Sequence, residues 1–144
     1  GVFNVAKGFS YDFVYPEGPR VTVNNELAIG IRFYGENNKS LFVTRGSIKT
    51  DPAELIREKI KENEIHVYAS RAHERNFIDC IYSGQPAVAP CEVGHRSNTI
   101  GALAVIGLRQ GLSTIKWDPA SEKIIGNDAA SAMLSRSLRA PWKI

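Results

Sequence analysis

The chain has 144 residues, of which 43% are hydrophobic, 23% charged and 9% aromatic, with a formal charge of +3. That is the composition of a folded domain with one substantial core, and it excludes a disordered chain. Lysines and arginines are scattered from Lys7 to Lys143 without a basic run, so nucleic acid is not expected as a partner.

The first half carries strand patterns. Val2 to Ala6 and Phe9 to Tyr15 mix aromatic and β-branched residues around Gly8, and Arg20 to Val23 follow the turn Pro16-Glu17-Gly18-Pro19. Leu27 to Tyr34 alternate through Ile29, Ile31 and Phe33. The Gly35-Glu36-Asn37-Asn38 turn leads into Lys39 to Arg45. Connections this short predict antiparallel pairing, because a parallel return needs a crossover of about a dozen residues or more.

Helical signals dominate the second half. Asp51-Pro52-Ala53-Glu54 predicts a cap, a proline at the first helical position and a glutamate reaching back, with a helix running to about Asn63. Ile65 to Ala69 predict one more strand. Ser70 can cap a helix through Tyr82, stopped by Gly84 and followed by Pro86. A third helix is expected over about Ser97 to Gln110 and ends at Gly111. Its apolar residues surround it, so it is expected to be buried, with Gly101 and Gly107 admitting a close neighbour. The apolar stretch Thr99 to Leu108 is about half the roughly 20 residues a membrane-spanning helix needs, so no membrane is expected as a partner. A short strand from Ser113 to Trp117 precedes Asp118-Pro119, and Asn127 or Asp128 can cap a last helix containing Met133 and Leu134. Trp142 is a candidate to pin the tail. The expected fold class is α+β: an open, mostly antiparallel sheet with helices packed on one face, as a single domain over residues 1–144.

Few residues carry chemistry. Cys80 and Cys91 are too sparse for a disulfide framework, and Cys80 falls on an apolar helix face where a free thiol is expected. His66, His73 and His95 lack metal-ligand spacing, so no metal is expected. His73 opens a helix and is expected to satisfy a local carbonyl. No G-x-G-x-x-G or P-loop occurs, and Ser97 lies in no nucleophile elbow. The most informative stretch is Glu92-Val93-Gly94-His95-Arg96-Ser97-Asn98-Thr99, expected to join a proline-rich loop to a helix N-terminus. His95 and Arg96 there either face a substrate or cofactor or hold the loop through backbone carbonyls while Ser97 caps the helix. Gly1 to Asn4 show no basic or apolar leader region, which favours the cytoplasm. The periplasm stays open if a longer parent carries a signal peptide.

Five motifs occur in one order: His73-Glu74-Arg75-Asn76-Phe77-Ile78-Asp79-Cys80-Ile81, Glu92-Val93-Gly94-His95-Arg96-Ser97, Trp117-Asp118-Pro119, Asn127-Asp128-Ala129-Ala130 and Arg139-Ala140-Pro141-Trp142. Together with Gly30 to Gly35 and Val43 to Gly46, they closely resemble the C-terminal end of bacterial members of the Gfo/Idh/MocA family (glucose–fructose oxidoreductase, inositol dehydrogenase and a rhizopine-catabolism protein). The resemblance spans roughly residues 27–144 and is poor before that.

It implies the second domain of a two-domain enzyme that exchanges hydride between NAD(P) and a hydroxyl carbon of a sugar or cyclitol. The nucleotide would sit on a preceding Rossmann domain, and the open sheet face would make a homo-oligomer. The family's Glu-Lys-Pro and Asp-x-x-x-His motifs are both missing here, so its catalytic residues are expected upstream of Gly1 and none is carried over. The chain alone is then expected to bind no NAD(P) and to be inactive, with His95 and Arg96 as its substrate- or cofactor-facing pair. The alternatives are a stand-alone binding or assembly module of the same fold, or half of an NAD-dependent glycosidase.

Overall fold

β-Branched and aromatic segments separated by tight turns form antiparallel ladders in the computed structural model, which describes residues 7–142. The strand expected over Val2 to Ala6, and the last residues Lys143 and Ile144, lie outside the described residues. The described chain forms two compact units, residues 7–88 and 89–142.

In the first unit, β1 (Ser10–Val14) pairs with β2 (Arg20–Asn24). Phe9, Tyr11 and Phe13 line one side: Phe9 stacks on Tyr11 with ring centroids 5.6 Å apart, and Tyr11 meets Phe13 edge to face at 5.3 Å. On the other side, Asp12 accepts hydrogen bonds from Arg20 and Thr22, which hold its carboxyl below the usual range. The strands β3 (Ile31–Tyr34), β4 (Ser40–Thr44) and β5 (Ser47–Asp51) form a meander. Asn37 and Asn38 take left-handed conformations in its first turn, as their composition predicts. Gly30 is required where the chain enters β3, since an added Cβ would stand 2.6 Å from the Val43 carbonyl oxygen. Ladder register places Ile31, Phe33, Leu41, Val43 and Ile48 on one face and Arg32, Phe42, Lys49 and Asp51 on the other.

Four expectations fail in this part of the unit. Asp51 ends β5, paired with Ser40, and so does not cap a helix. The following turn, Ala53–Arg57, is 3-10 and stops at the extended Glu58. A helix to Asn63 does not form: Ile56 and Ile60 are more than half exposed, and a helix that buries no face is marginal at that length. The segment expected as a strand over Ile65 to Ala69 has no ladder partner. Helix α1 (His73–Ser83) follows; its N-cap is Ala72, while Ser70 donates to the Ala72 carbonyl instead of capping. Gly84 stops the helix in the left-handed conformation, as expected. Asn76 ties this unit together, its Oδ1 accepting from the Val88 amide at 3.0 Å and its Nδ2 donating to the Tyr68 hydroxyl. Cys80 is a half-buried free thiol whose Sγ donates to the Pro86 carbonyl at 3.5 Å.

The second unit is built on α2 (Cys91–Gln110), which starts six residues earlier than the sequence pattern predicts. Pro90 is its N-cap, and the Gly94 amide already reaches the Pro90 carbonyl at 3.1 Å. Leu103, Ile106 and Gly107 are buried, whereas Val105 and Leu108 are about half exposed, so the helix is one-sided and not enclosed. A Cβ on Gly101 would meet open space and one on Gly107 only an ordinary contact with Ile115, so neither glycine marks a tight backbone approach. Strands β6 (Trp117–Asp118) and β7 (Lys123–Ile124) make a short hairpin. Helix α3 (Asp128–Ser131) is capped by Asn127, whose side chain accepts from the Ala130 amide at 2.9 Å, as expected; Met133 and Leu134 fall just beyond it. Leu103, Ile106, Ile124 and Ala130 form the core, with Leu112, Ile115, Trp117 and Met133 against it. Trp142 is 67% exposed and does not pin the tail. The architecture is α+β with antiparallel strands, as expected, but the described strands group into three separate ladders.

Candidate functional site

The second unit carries a cluster that places both residues singled out from the sequence. His95 and Arg96 lie in the second turn of α2, not in a loop before it. The β6–β7 turn supplies their partners. His95 Nε2 is 2.7 Å from Glu122 Oε1, and Arg96 Nη1 donates to the Pro119 carbonyl at 2.8 Å. Arg96 Nε also donates to Glu92 Oε1 at 2.8 Å, one turn back on the helix, and Nη1 lies 3.8 Å from Glu122 Oε1.

The turn is itself braced. Asp118 accepts from the Ala120 amide at 3.0 Å and from the Ser121 hydroxyl, and these bonds hold its carboxyl below the usual range. Glu122 is also held low, chiefly by its hydrogen bond to His95; desolvation opposes this, and the electrostatic pull of His95 and Arg96 adds less. Glu92 raises the Arg96 guanidinium further, so this cation is committed to two carboxylates and a carbonyl. His95 is different: about half its side chain is exposed, and among the described residues only Nε2 has a hydrogen-bond partner.

Ser97 neither caps the helix nor acts as a poised nucleophile, because its hydroxyl donates to the Val93 carbonyl at 2.7 Å. Thr99 does the same to the His95 carbonyl at 2.9 Å. His73, expected to satisfy a local carbonyl, makes no side-chain hydrogen bond among the described residues, while His66 Nε2 lies 2.9 Å from the Lys61 carbonyl oxygen. Glu122 was not legible from the sequence as a site residue. It lies 27 positions from His95, and only the hairpin after Asp118-Pro119 brings the two together.

A dinucleotide needs a strand, a glycine-rich turn and a helix N-terminus free to receive its pyrophosphate. The residues here do not fit one. No described strand leads directly into α1 or α2, and each helix places a glutamate, Glu74 or Glu92, in its first turn. No group of three or more metal-ligating side chains occurs among the described residues, and none of their helices is long and apolar enough to cross a membrane.

Neither curated proteins nor solved structures offer a match to this chain. A family model does: residues 47–144 match an oxidoreductase family's C-terminal alpha/beta domain, covering well over half the chain. The match takes in α1, α2 and the whole His95–Glu122 cluster, and it begins later than the resemblance from about residue 27 suggests. The chain therefore belongs to the Gfo/Idh/MocA oxidoreductase family, and residues 47–144 are its C-terminal domain.

Proposed function

We propose that this chain is the substrate-side domain of an NAD(P)-dependent oxidoreductase acting on a sugar or cyclitol hydroxyl. NAD(P) would be held by a separate Rossmann domain, and this chain is inactive without it. The observation carrying this reading is that the family match encloses one braced polar cluster whose histidine is half exposed and keeps one ring nitrogen unbonded by the described residues. His95 is the side chain that meets the substrate. Arg96 sits beside it and holds the β6–β7 turn in place through the Pro119 carbonyl.

The face of β3–β5 bearing Ile31, Phe33, Leu41, Val43 and Ile48 carries no charge, and Ile31, Phe33 and Ile48 are each more than half exposed. Such a face can meet its own copy without like-charge repulsion, which supports a homo-oligomer.

Calorimetry tests the division of labour. The 144-residue chain is expected to show no NAD(H) binding above background, and micromolar binding would overturn the reading. A Rossmann segment in the same reading frame supports it, whereas a gene encoding these residues alone would favour a binding or assembly module. Product analysis of the full enzyme separates net oxidation from glycosidic cleavage. Light scattering tests the oligomer: a monomeric mass counts against it, and Ile31→Lys should dissociate a dimer.

A further inference from the structure

We propose that Glu122 is the positioning residue of His95: its carboxylate takes the Nε2–H and thereby presents Nδ1 as a hydrogen-bond acceptor for a ligand hydroxyl. The 2.7 Å contact sets the polarity, because an ionised carboxylate only accepts and the imidazole must donate from Nε2. In the neutral ring Nδ1 then holds a lone pair, and no described residue bonds to it. A group with an available O–H, such as a polyol, complements that nitrogen.

The way Glu122 is delivered supports a dedicated role. It adopts φ +53°, a left-handed conformation that residues with a Cβ take up only at a cost. Glycine or asparagine would meet that turn more easily, but neither would place a carboxylate beside His95. The turn does not depend on the contact for its attachment to α2, since Arg96 already holds the Pro119 carbonyl and Asp118 braces Ala120 and Ser121. Among the described residues Glu122 is the charged group paired with the ring; Arg96 lies 3.8 Å from the same carboxylate oxygen and is occupied with Glu92.

That Nδ1 meets a sugar hydroxyl rests on the function proposed above; the Glu122–His95 assignment does not. The test is nitrogen-15 NMR of the His95 ring at about pH 8, above the ordinary histidine range. Glu122→Gly suits the left-handed backbone and removes the side chain with its carboxylate, while Glu122→Gln restores an acceptor.

The wild type is expected to show a single Nε2–H tautomer, Glu122→Gly a mixture, and Glu122→Gln a return toward the single form. The amide signals of Trp117, Lys123 and Ile124 should stay in place throughout. An Nδ1–H tautomer in the wild type, or the same tautomer ratio in Glu122→Gly, overturns the assignment. A role confined to fastening the hairpin would move the amide signals and leave the tautomer ratio alone, which also overturns it. Added glucose or inositol is then expected to shift Nδ1 in the wild type and not in Glu122→Gly. An intact tautomer pattern without that shift supports Glu122 as the positioning residue and removes the substrate class instead.

Discussion

Residues 89–142 close a small core, with Leu103, Ile106, Ile124 and Ala130 all buried, whereas residues 7–88 bury no side chain to that degree. The first unit is not short of apolar residues: Ile31, Phe33, Ile48, Phe77 and Ile81 are each more than half exposed. What differs is how the apolar groups are brought together. In 89–142 a long helix, a hairpin and a capped turn of helix meet around one point. In 7–88 the ladders satisfy backbone hydrogen bonds without a second layer over the apolar face of β3–β5. Backbone pairing and core formation are separate achievements, and a sheet can complete the first without the second.

The largest test of this contrast is truncation in the closed core. Ile106→Ala should cost about 2–5 kcal/mol in urea denaturation, while Ile56→Ala, at a half-exposed site, should stay within about 0.5 kcal/mol. Equal effects would erase the distinction between the units. Next in size is Gly30→Ala. Its Cβ would collide with the Val43 carbonyl and the Phe42 ring at a φ of +154°, so a loss of about 1–3 kcal/mol is expected, read by loss of amide protection in β3 and β4. Asn127→Ala removes the cap of α3 and should cost about 1 kcal/mol, visible as a lower thermal midpoint of the closed unit.

The smallest effect is that of acid on the β6–β7 turn. Asp118 and Glu122 titrate below their usual values when folded, so their contribution is complete above the ordinary carboxylate range of about 3.9–4.3 and is lost as pH falls through the lower folded values. Trp117 fluorescence should therefore hold steady down to that range and change only beneath it. A change centred above about pH 5 would contradict this assignment.

Strand alternation, Asn37-Asn38, Gly84, Gly111 and the Asn127 cap could all be recognised locally, because each follows from the conformational preference of one or two residues. The antiparallel α+β class and the family followed from such signals and from the ordered motifs. Three elements could not be recognised that way. Asp51 has the sequence context of a helix cap, but pairing with Ser40 claims it for β5. Gly94 and Pro90 suggest a loop, yet they open α2, where Pro90 needs no donor. Ile56 and Ile60 mark a helical face that finds nothing to cover it.

The site divides in the same way. His95 and Arg96 were candidates because they are unusual side chains next to each other in sequence, a property of the chain alone. Glu122 became one only because a hairpin folded back onto α2 and carried its carboxylate to 2.7 Å from the ring. A sequence records which groups are present and their local backbone preferences; which distant groups share a hydrogen bond is decided by packing, and here that choice distinguishes a surface histidine from an oriented one.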